Sequence, residues 1–166
     1  LILVRACTGN SRTMCDMTPF RPLYVHFPFC ESKCHYCDFY SIGREKTGAE
    51  DPATFERAMI QEAKLWSSHL AAPASGGVQT LFFGGGTPSM TPPDSMKRIC
   101  EAIFNGPAAP KLASDYEWTM EANPSSVSLE NLRAYRALGL NRVSMGVQSM
   151  NNEQLLRLGR VHNEEA

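Results

Sequence analysis

Three features that would narrow the function are absent from this sequence. No apolar run approaches the ~20 residues that a membrane-spanning helix needs. The 16 basic and 17 acidic residues leave a formal net charge of −1, which gives no indication of nucleic acid or an anionic membrane as a partner. No secretory apolar segment opens the chain, and hydrophobic residues make up 43% of it, enough for a core without disulfides. We therefore expect one globular unit.

The first 21 residues differ from the rest. They carry three arginines against a single acidic residue, with scattered polar residues and no periodicity. A transit peptide has this composition, and so does translated sequence upstream of a start at Met14 or Met17, which is the simpler interpretation. We expect an irregular tail over residues 1–21 and a folded core over 22–166. The expected location is cytoplasmic, or mitochondrial if the tail is a transit peptide.

From residue 22 onward, short β-rich runs alternate with helical patterns. Strands are predicted at 23–27, 78–83, 116–120 and 142–147. Capping residues predict helices that begin near Asp51, Thr91, Ser128 and Asn151. Cys100 falls on the apolar stripe of the second helix, so we interpret it as a core residue. Four strand–helix units imply an α/β fold with a parallel sheet, either doubly wound or part of a barrel.

A cysteine segment follows the first strand. Cys30, Cys34 and Cys37 have a spacing at which three thiolates can hold three corners of an iron–sulfur cube. Cubane clusters normally take four cysteines, so three would leave one iron open for a ligand that is not protein. A structural zinc site is the alternative, because His26 or His35 would supply a fourth ligand. A disulfide framework is a third interpretation, which the composition disfavours.

Polar motifs follow the other predicted strands as well. They include residues 84–88 (Gly-Gly-Gly-Thr-Pro), residues 121–124 (Glu-Ala-Asn-Pro), Gln148 and, past the last helix, Arg160. Because the carboxyl ends of parallel strands meet on one rim, we expect these motifs to form one site. The glycines would offer unblocked N–H and C=O groups to a ligand, and Glu121 would need a cationic or hydroxyl partner. Taken singly, each motif also has a structural interpretation, as a tight turn, an ion pair or a solvated charge.

Five segments resemble the radical S-adenosylmethionine enzymes, more narrowly the branch that contains oxygen-independent coproporphyrinogen III dehydrogenase and the HemW heme chaperones. They lie, in order, at 24–39, 81–89, 121–124, 146–149 and 158–162. The resemblance implies a partial (β/α)6 barrel of the TIM type, of which this chain would be the apparently truncated N-terminal part with four βα units. It also implies that the three cysteines bind a 4Fe-4S cluster whose open iron takes S-adenosylmethionine, which one electron cleaves to a 5′-deoxyadenosyl radical.

The resemblance also implies which residues contact the cofactor. It places eight side chains or backbones against S-adenosylmethionine: Tyr24, Tyr36, Gly85, Gly86, Thr87, Glu121, Gln148 and Arg160. Residues 85–87 would contact its methionine part. These assignments agree with the common rim expected from the strand ends.

Two departures from the dehydrogenase pattern bear on function. Those enzymes usually carry another cysteine two places after the third, where this chain has Phe39, and they carry a longer N-terminal extension. Both departures favour the heme chaperone branch and disfavour coproporphyrinogen oxidase activity, on a scaffold able to cleave S-adenosylmethionine. Heme or a porphyrin, an electron donor and a heme-acceptor protein are then the expected partners. The alternatives are a decarboxylating dehydrogenase and, more remotely, a zinc-binding α/β protein without radical chemistry.

Overall fold

A computed structural model of the chain describes residues 2–4, 22–46, 51–67, 77–105, 109–163 and 165. The strands in chain order are β1 (Ile2–Val4), β2 (Pro22–Phe27), β3 (Phe29–Cys30), β4 (Ile42–Gly43), β5 (Val78–Gly85), β6 (Leu112–Ala122) and β7 (Arg142–Met145). The α-helices are α1 (Pro52–Ser67), α2 (Pro93–Phe104), α3 (Leu129–Leu138) and α4 (Asn152–Arg157). All four predicted strand–helix units are confirmed.

The order of the strands decides between the two predicted architectures. The main sheet runs β1-β2-β5-β6-β7, and β2, β5, β6 and β7 are parallel, each beside the one before it in the chain. In a doubly wound sheet the strand order reverses at a switch point, so that later strands are added on the other side of the first one. In a barrel each new strand is added on the same side as the one before it. The described part of the chain therefore has the strand order of a barrel wall.

The tail predicted to be irregular contains a strand. β1 pairs antiparallel with β2, with Leu3 opposite Tyr24. The short apolar run at residues 2–4 includes β-branched Ile2 and Val4, which favour a strand, and it pairs with the otherwise free edge of β2. The rest of the tail, with its two cysteines and both candidate start methionines, lies outside the described residues.

Alternation along the strands divides the sheet into two faces. In β2, Leu23, Val25 and Phe27 are buried among helix residues, whereas Tyr24 and His26 point to the opposite face. Among the described residues, sixteen side chains form the core between strands and helices: Leu23, Val25, Phe27, Met59, Ala63, Val78, Leu81, Phe83, Met96, Ile99, Cys100, Ile103, Trp118, Met120, Tyr135 and Leu140. The helices therefore cover one face, and the other is left for polar groups.

Helix α1 carries apolar residues at helical spacing and buries only some of them. Met59 and Ala63 are in the core, while Trp66 is 41% exposed. In α2, Cys100 is 8% exposed and burial raises the pKa of its thiol to about 12, so its interpretation as a core residue is confirmed. None of the helices described here is long and apolar enough to cross a membrane.

Three of the four predicted helix caps, at Asp51, Ser128 and Asn151, are in place. Thr91 does not cap α2, whose N-cap position is Pro92, with no side-chain hydrogen bond. The Ser128 hydroxyl accepts from the Asn131 N–H at 3.1 Å, and Asn151 Oδ1 accepts from the Gln154 N–H at the same distance. Gly139 ends α3 with a φ of 115°, a conformation that glycine adopts at low cost. These caps set where each connection begins, and so where the rim residues lie.

Candidate functional site

A cleft of about 620 Å³ opens at the carboxyl ends of β5, β6 and β7. It brings together many of the residues singled out from the sequence: Cys34, Tyr36, Cys37, Gly85, Gly86, Glu121, Gln148 and Arg160. The other lining residues are Asp38, Phe39, Ala122, Asn123, Ser144, Met145 and Gly146. Tyr24, Cys30 and Thr87 were predicted in the same site but do not line the cleft.

The three cysteines of the predicted cluster segment are free thiols of intermediate exposure. β3 places Cys30 beside Gly43 of β4, and a turn closed by the Cys37 N–H to the Cys34 carbonyl, at 3.1 Å, carries the other two. Burial raises the pKa of the Cys30 thiol, while hydroxyl donors from Thr87 and Ser41 lower it. A partly exposed thiol that already accepts hydrogen bonds, as Cys30 does, suits an iron–sulfur cluster, whose potential depends on such bonds.

His26 is not available as a metal ligand in this structure. Its Nε2 lies 2.9 Å from the Tyr40 carbonyl, which only accepts, so this nitrogen carries the proton. Its Nδ1 accepts a hydrogen bond from the Tyr24 hydroxyl, at a distance of 3.0 Å between the nitrogen and the oxygen. Both ring nitrogens are thus occupied, and His26 instead ties the end of the cysteine segment to β2.

Among the described residues, no three side chains of His, Cys, Asp or Glu converge as the ligands of one metal ion do. The thiolates of a cubane each bind a different iron, so they need not converge in that way. His35, the other histidine of the zinc hypothesis, has its ring beside Gly159, where an added β-carbon would lie 3.4 Å from it.

The glycine segment does not offer free N–H groups, contrary to the expectation from sequence. The Gly86 N–H donates to the Phe27 carbonyl at 2.6 Å and the Thr87 N–H to the Phe29 carbonyl at 2.7 Å. A β-carbon at Gly86 would lie 2.6 Å from the Phe29 carbonyl oxygen. Glycine is required because two backbones approach closely, and those backbones already satisfy each other.

The partner of Glu121 also differs from the prediction. Its Oε2 accepts from the Gly85 N–H at 3.0 Å, where a cation or hydroxyl had been expected. The difference arises from register: β5 and β6 are neighbouring parallel strands, so the end of one leaves an amide beside the other. Burial, and secondly the negative charge of Glu121, raise the pKa of Tyr24, whose side chain projects from the same face.

Arg160 is fixed in the wall of the cleft. Its Nη2 donates to the Asn123 side-chain oxygen and, at 2.7 Å, to the Gly146 carbonyl, and its Nη1 lies 3.3 Å from Cys34 Sγ. Within the described part of the chain, its Nε is buried and has no hydrogen-bond partner. The interpretation as a solvated surface charge is therefore wrong, and the Nε–H lacks an acceptor among the described residues.

Gln148 has an unusual backbone at the edge of the cleft. Its φ is 66°, the only positive value for a residue other than glycine in the described ranges. Such a conformation costs of order 1–3 kcal/mol and occurs preferentially at functional sites. Nothing in the sequence indicates this conformation, since glutamine has no preference for the left-handed region.

Asn123 is a site residue whose role the sequence motif at residues 121–124 does not reveal. Its Nδ2 donates to Thr87 Oγ1 at 3.2 Å and its Oδ1 accepts from Arg160. The indication was present in the Asn-Pro pair, because a residue before proline is held extended, and here it caps a short 3-10 turn at Pro124–Ser126. Asn123 has φ −100° and ψ 148°, as that restriction requires.

Fold and site together define a class. The parallel strands are ordered as in a barrel wall, a three-cysteine segment follows the first of them, and a cleft with Glu121 and Arg160 opens on the same rim. This is the arrangement of an iron–sulfur (β/α) barrel that binds a small zwitterionic cofactor. The chain belongs to the Radical SAM superfamily, whose sequence model matches residues 24–166. A 4Fe-4S cluster and S-adenosylmethionine are the general cofactors of that superfamily.

Individual relatives refine the comparison. The chain is 37% identical over 155 residues to the mitochondrial radical S-adenosyl methionine domain-containing protein 1 of Bos taurus, and 37% identical over 140 residues to the heme chaperone HemW of Escherichia coli. These alignments cover 93% and 84% of the chain. The structure resembles coproporphyrinogen III oxidase (HemN) of E. coli, with a TM-score of 0.72 and 31% identity over 86% of the chain. The chain spans only 33%, 35% and 31% of these three proteins.

The packing of Gly85 against His26 generates a first prediction. Gly85 has a φ of 113°, and a β-carbon there would lie 2.4 Å from His26 Cε1. Because both nitrogens of that ring are hydrogen-bonded, Gly85→Ala should destabilise the protein by backbone strain of about 1–3 kcal/mol and by the clash as well. Thermal unfolding of Gly85→Ala, His26→Ala and the double variant would measure both terms. We expect the double variant to be more stable than additivity predicts; strict additivity would contradict the proposed clash.

Proposed function

We propose that this chain is part of the radical S-adenosylmethionine core of a heme chaperone of the HemW kind. The observation that carries the choice within the superfamily is Phe39. The cysteine of the dehydrogenase pattern is replaced here by an aromatic side chain that is 69% exposed and lines the cleft beside the cluster segment. The identity to HemW proteins from several bacteria supports the same choice.

The cluster would be held by Cys30, Cys34 and Cys37, and S-adenosylmethionine would occupy the adjoining cleft. When bound, the cluster supplies the electron and the open iron on which cleavage of the cofactor depends. Thr87 and Arg160 donate hydrogen bonds to the sulfurs of Cys30 and Cys34. The chain's own contribution is thus to orient the thiolates and to supply donors on their protein side.

Opposite charges in the cleft support an amino-acid-like ligand. Glu121 and Arg160 both line it, and a zwitterion would complement an acidic and a basic group together. Gly146 leaves this wall open, since a β-carbon there would lie 3.3 Å from both the Asn123 Oδ1 and the Gln148 Nε2. Tyr36, which also lines the cleft, has its pKa raised first by burial and then by the neighbouring Cys34.

Oxygen-independent coproporphyrinogen III dehydrogenation is the second candidate, because the structural neighbour is an oxidase of that substrate. The structural similarity to that oxidase extends over the part of the fold that both candidates would share, so it does not distinguish between them. The proposed partners are heme or a porphyrin, an electron donor and a heme acceptor. The proposed location is the cytoplasm, as for a bacterial chaperone, or the mitochondrion, as for the bovine relative.

The cluster assignment predicts a specific loss. Cys34→Ala in the full-length protein should remove the bound iron and sulfide and the brown absorbance, because two thiolates cannot retain a cube against solvent. Cys100→Ala is the matched control: it also removes one thiol, but from the core of α2, and should keep the full iron content. Anaerobic metal analysis decides the matter. Full iron in Cys34→Ala, with loss of that iron in a His35→Ala variant, would contradict the three-cysteine assignment, whereas zinc without iron in the wild type would restore the zinc hypothesis.

The cofactor assignment predicts an effect of charge alone. Glu121→Gln keeps an oxygen that can accept from the Gly85 N–H but removes the negative charge, so S-adenosylmethionine should bind roughly tenfold more weakly, about 1.4 kcal/mol, with iron content unchanged. Glu117→Gln makes the same change on the same strand, where the carboxylate pairs with Arg142 at 2.9 Å outside the cleft. Equilibrium titration should show wild-type affinity for that control. Equal affinities for both variants would remove Glu121 from the site.

Heme binding and coproporphyrinogen turnover separate the two porphyrin functions. The full-length protein, kept anaerobic, should bind heme with a characteristic absorbance spectrum. It should release no carbon dioxide from coproporphyrinogen III in the presence of reductant and S-adenosylmethionine, under conditions in which E. coli coproporphyrinogen III oxidase is active. Sustained formation of protoporphyrinogen would overturn the chaperone and establish the dehydrogenase.

A further inference from the structure

A continuous hydrogen-bonded path links two of the three cysteine sulfurs through residues from three different connections. Thr87 Oγ1 lies 3.6 Å from Cys30 Sγ, and it accepts from Asn123 Nδ2 at 3.2 Å. The Asn123 Oδ1 accepts from Arg160, whose other terminal nitrogen lies 3.3 Å from Cys34 Sγ. Asn123 is the only member of the path that touches neither sulfur.

Arg160 determines which atom donates and which accepts in each hydrogen bond of this path. A guanidinium can only donate, so the side-chain oxygen of Asn123 must face Arg160 and its NH₂ group must face Thr87. The Thr87 oxygen then receives a hydrogen from Asn123 and keeps its own proton for Cys30 Sγ. Both ends of the path therefore present donors to sulfur.

Asn123 is well held in this orientation. Its backbone N–H donates to the Ser126 hydroxyl at 3.1 Å, and its carbonyl accepts from the Ser126 N–H at 3.0 Å. Pro124 restricts it to the extended region. Thr87, its neighbour, is 4% exposed, so water does not compete for the hydroxyl proton.

We propose that Asn123 is a positioning residue which, by fixing the proton of Thr87 toward Cys30 and the guanidinium of Arg160 toward Cys34, raises the reduction potential of the cluster. Donors to the sulfurs stabilise the reduced form, which carries the additional negative charge. This inference rests on the proposed function, since it requires the cluster at these cysteines. It also gives Thr87 a place on the protein side of the cluster, apart from the cleft.

The test is a redox titration of the cluster in the full-length protein without S-adenosylmethionine, followed by electron paramagnetic resonance. In Asn123→Asp, a carboxylate that only accepts would take the Thr87 proton away from Cys30, and the potential should become more negative. Thr87→Val should shift it in the same direction, and Thr87→Ser, which keeps the hydroxyl, should restore the wild-type value.

The double variant Asn123→Asp/Thr87→Val separates proton direction from added charge. If Asn123 acts through Thr87, replacing Asn by Asp should shift the potential less in the Thr87→Val background than in the wild type. An equal shift in both backgrounds would mean that only the charge matters and would overturn the proposal. Asn123→Ala adds no charge and should give a smaller negative shift; an unchanged potential with a full cluster would overturn it as well.

Iron analysis of the wild type distinguishes this failure from that of the proposed function. If the wild-type protein holds no cluster, the proposed function itself is wrong. If the wild type and Thr87→Val hold a cluster but both Asn123 variants lose it, Asn123 holds the segment together and does not tune the potential, which also overturns the inference.

Discussion

The close approach of the cysteine segment to the end of β5 is the constraint on which the site depends. The N–H groups of Gly86 and Thr87, which follow β5, donate hydrogen bonds to the carbonyls of Phe27 and Phe29, which lie just before the first cysteine. The two backbones are so close that no space remains for a β-carbon at Gly86. Thr87 is brought to Cys30 by this contact. The triple glycine, which looks in the sequence like a ligand loop, first of all joins one rim segment to the next.

Arg160 completes the site from the far end of the chain. It lies 126 positions from Cys34, and their contact forms only when all four strand–helix units are in place. Its charge meets a thiol, a side-chain amide and a carbonyl, so it joins the last connection to the first and third. Buried polar networks of this kind are stable when their members are satisfied, and among the described residues the Nε of Arg160 is the atom of this network without a partner.

Periodicity and caps predicted the strands, the helices and the common rim, because these depend on residues near one another in sequence. The three cysteines were equally accessible to prediction. The partners of Glu121 and of the glycine N–H groups were not, since they depend on the register of strands that lie dozens of residues apart. The role of Asn123 was not predicted for the same reason, since its two partners, Thr87 and Arg160, lie in different connections. The short strand β1 was missed because its three residues are too few to show a period.

The Asn123–Pro124 pair has a chemical consequence for the lifetime of the protein. Asparagine deamidates to aspartate when the backbone nitrogen of the following residue attacks the side-chain amide. That attack requires an N–H group, which proline lacks. The dipeptide that keeps Asn123 extended therefore also protects its amide from spontaneous deamidation. The proposed role of Asn123 requires both its amide oxygen and its amide nitrogen, and the following proline slows the reaction that would replace that nitrogen with an oxygen.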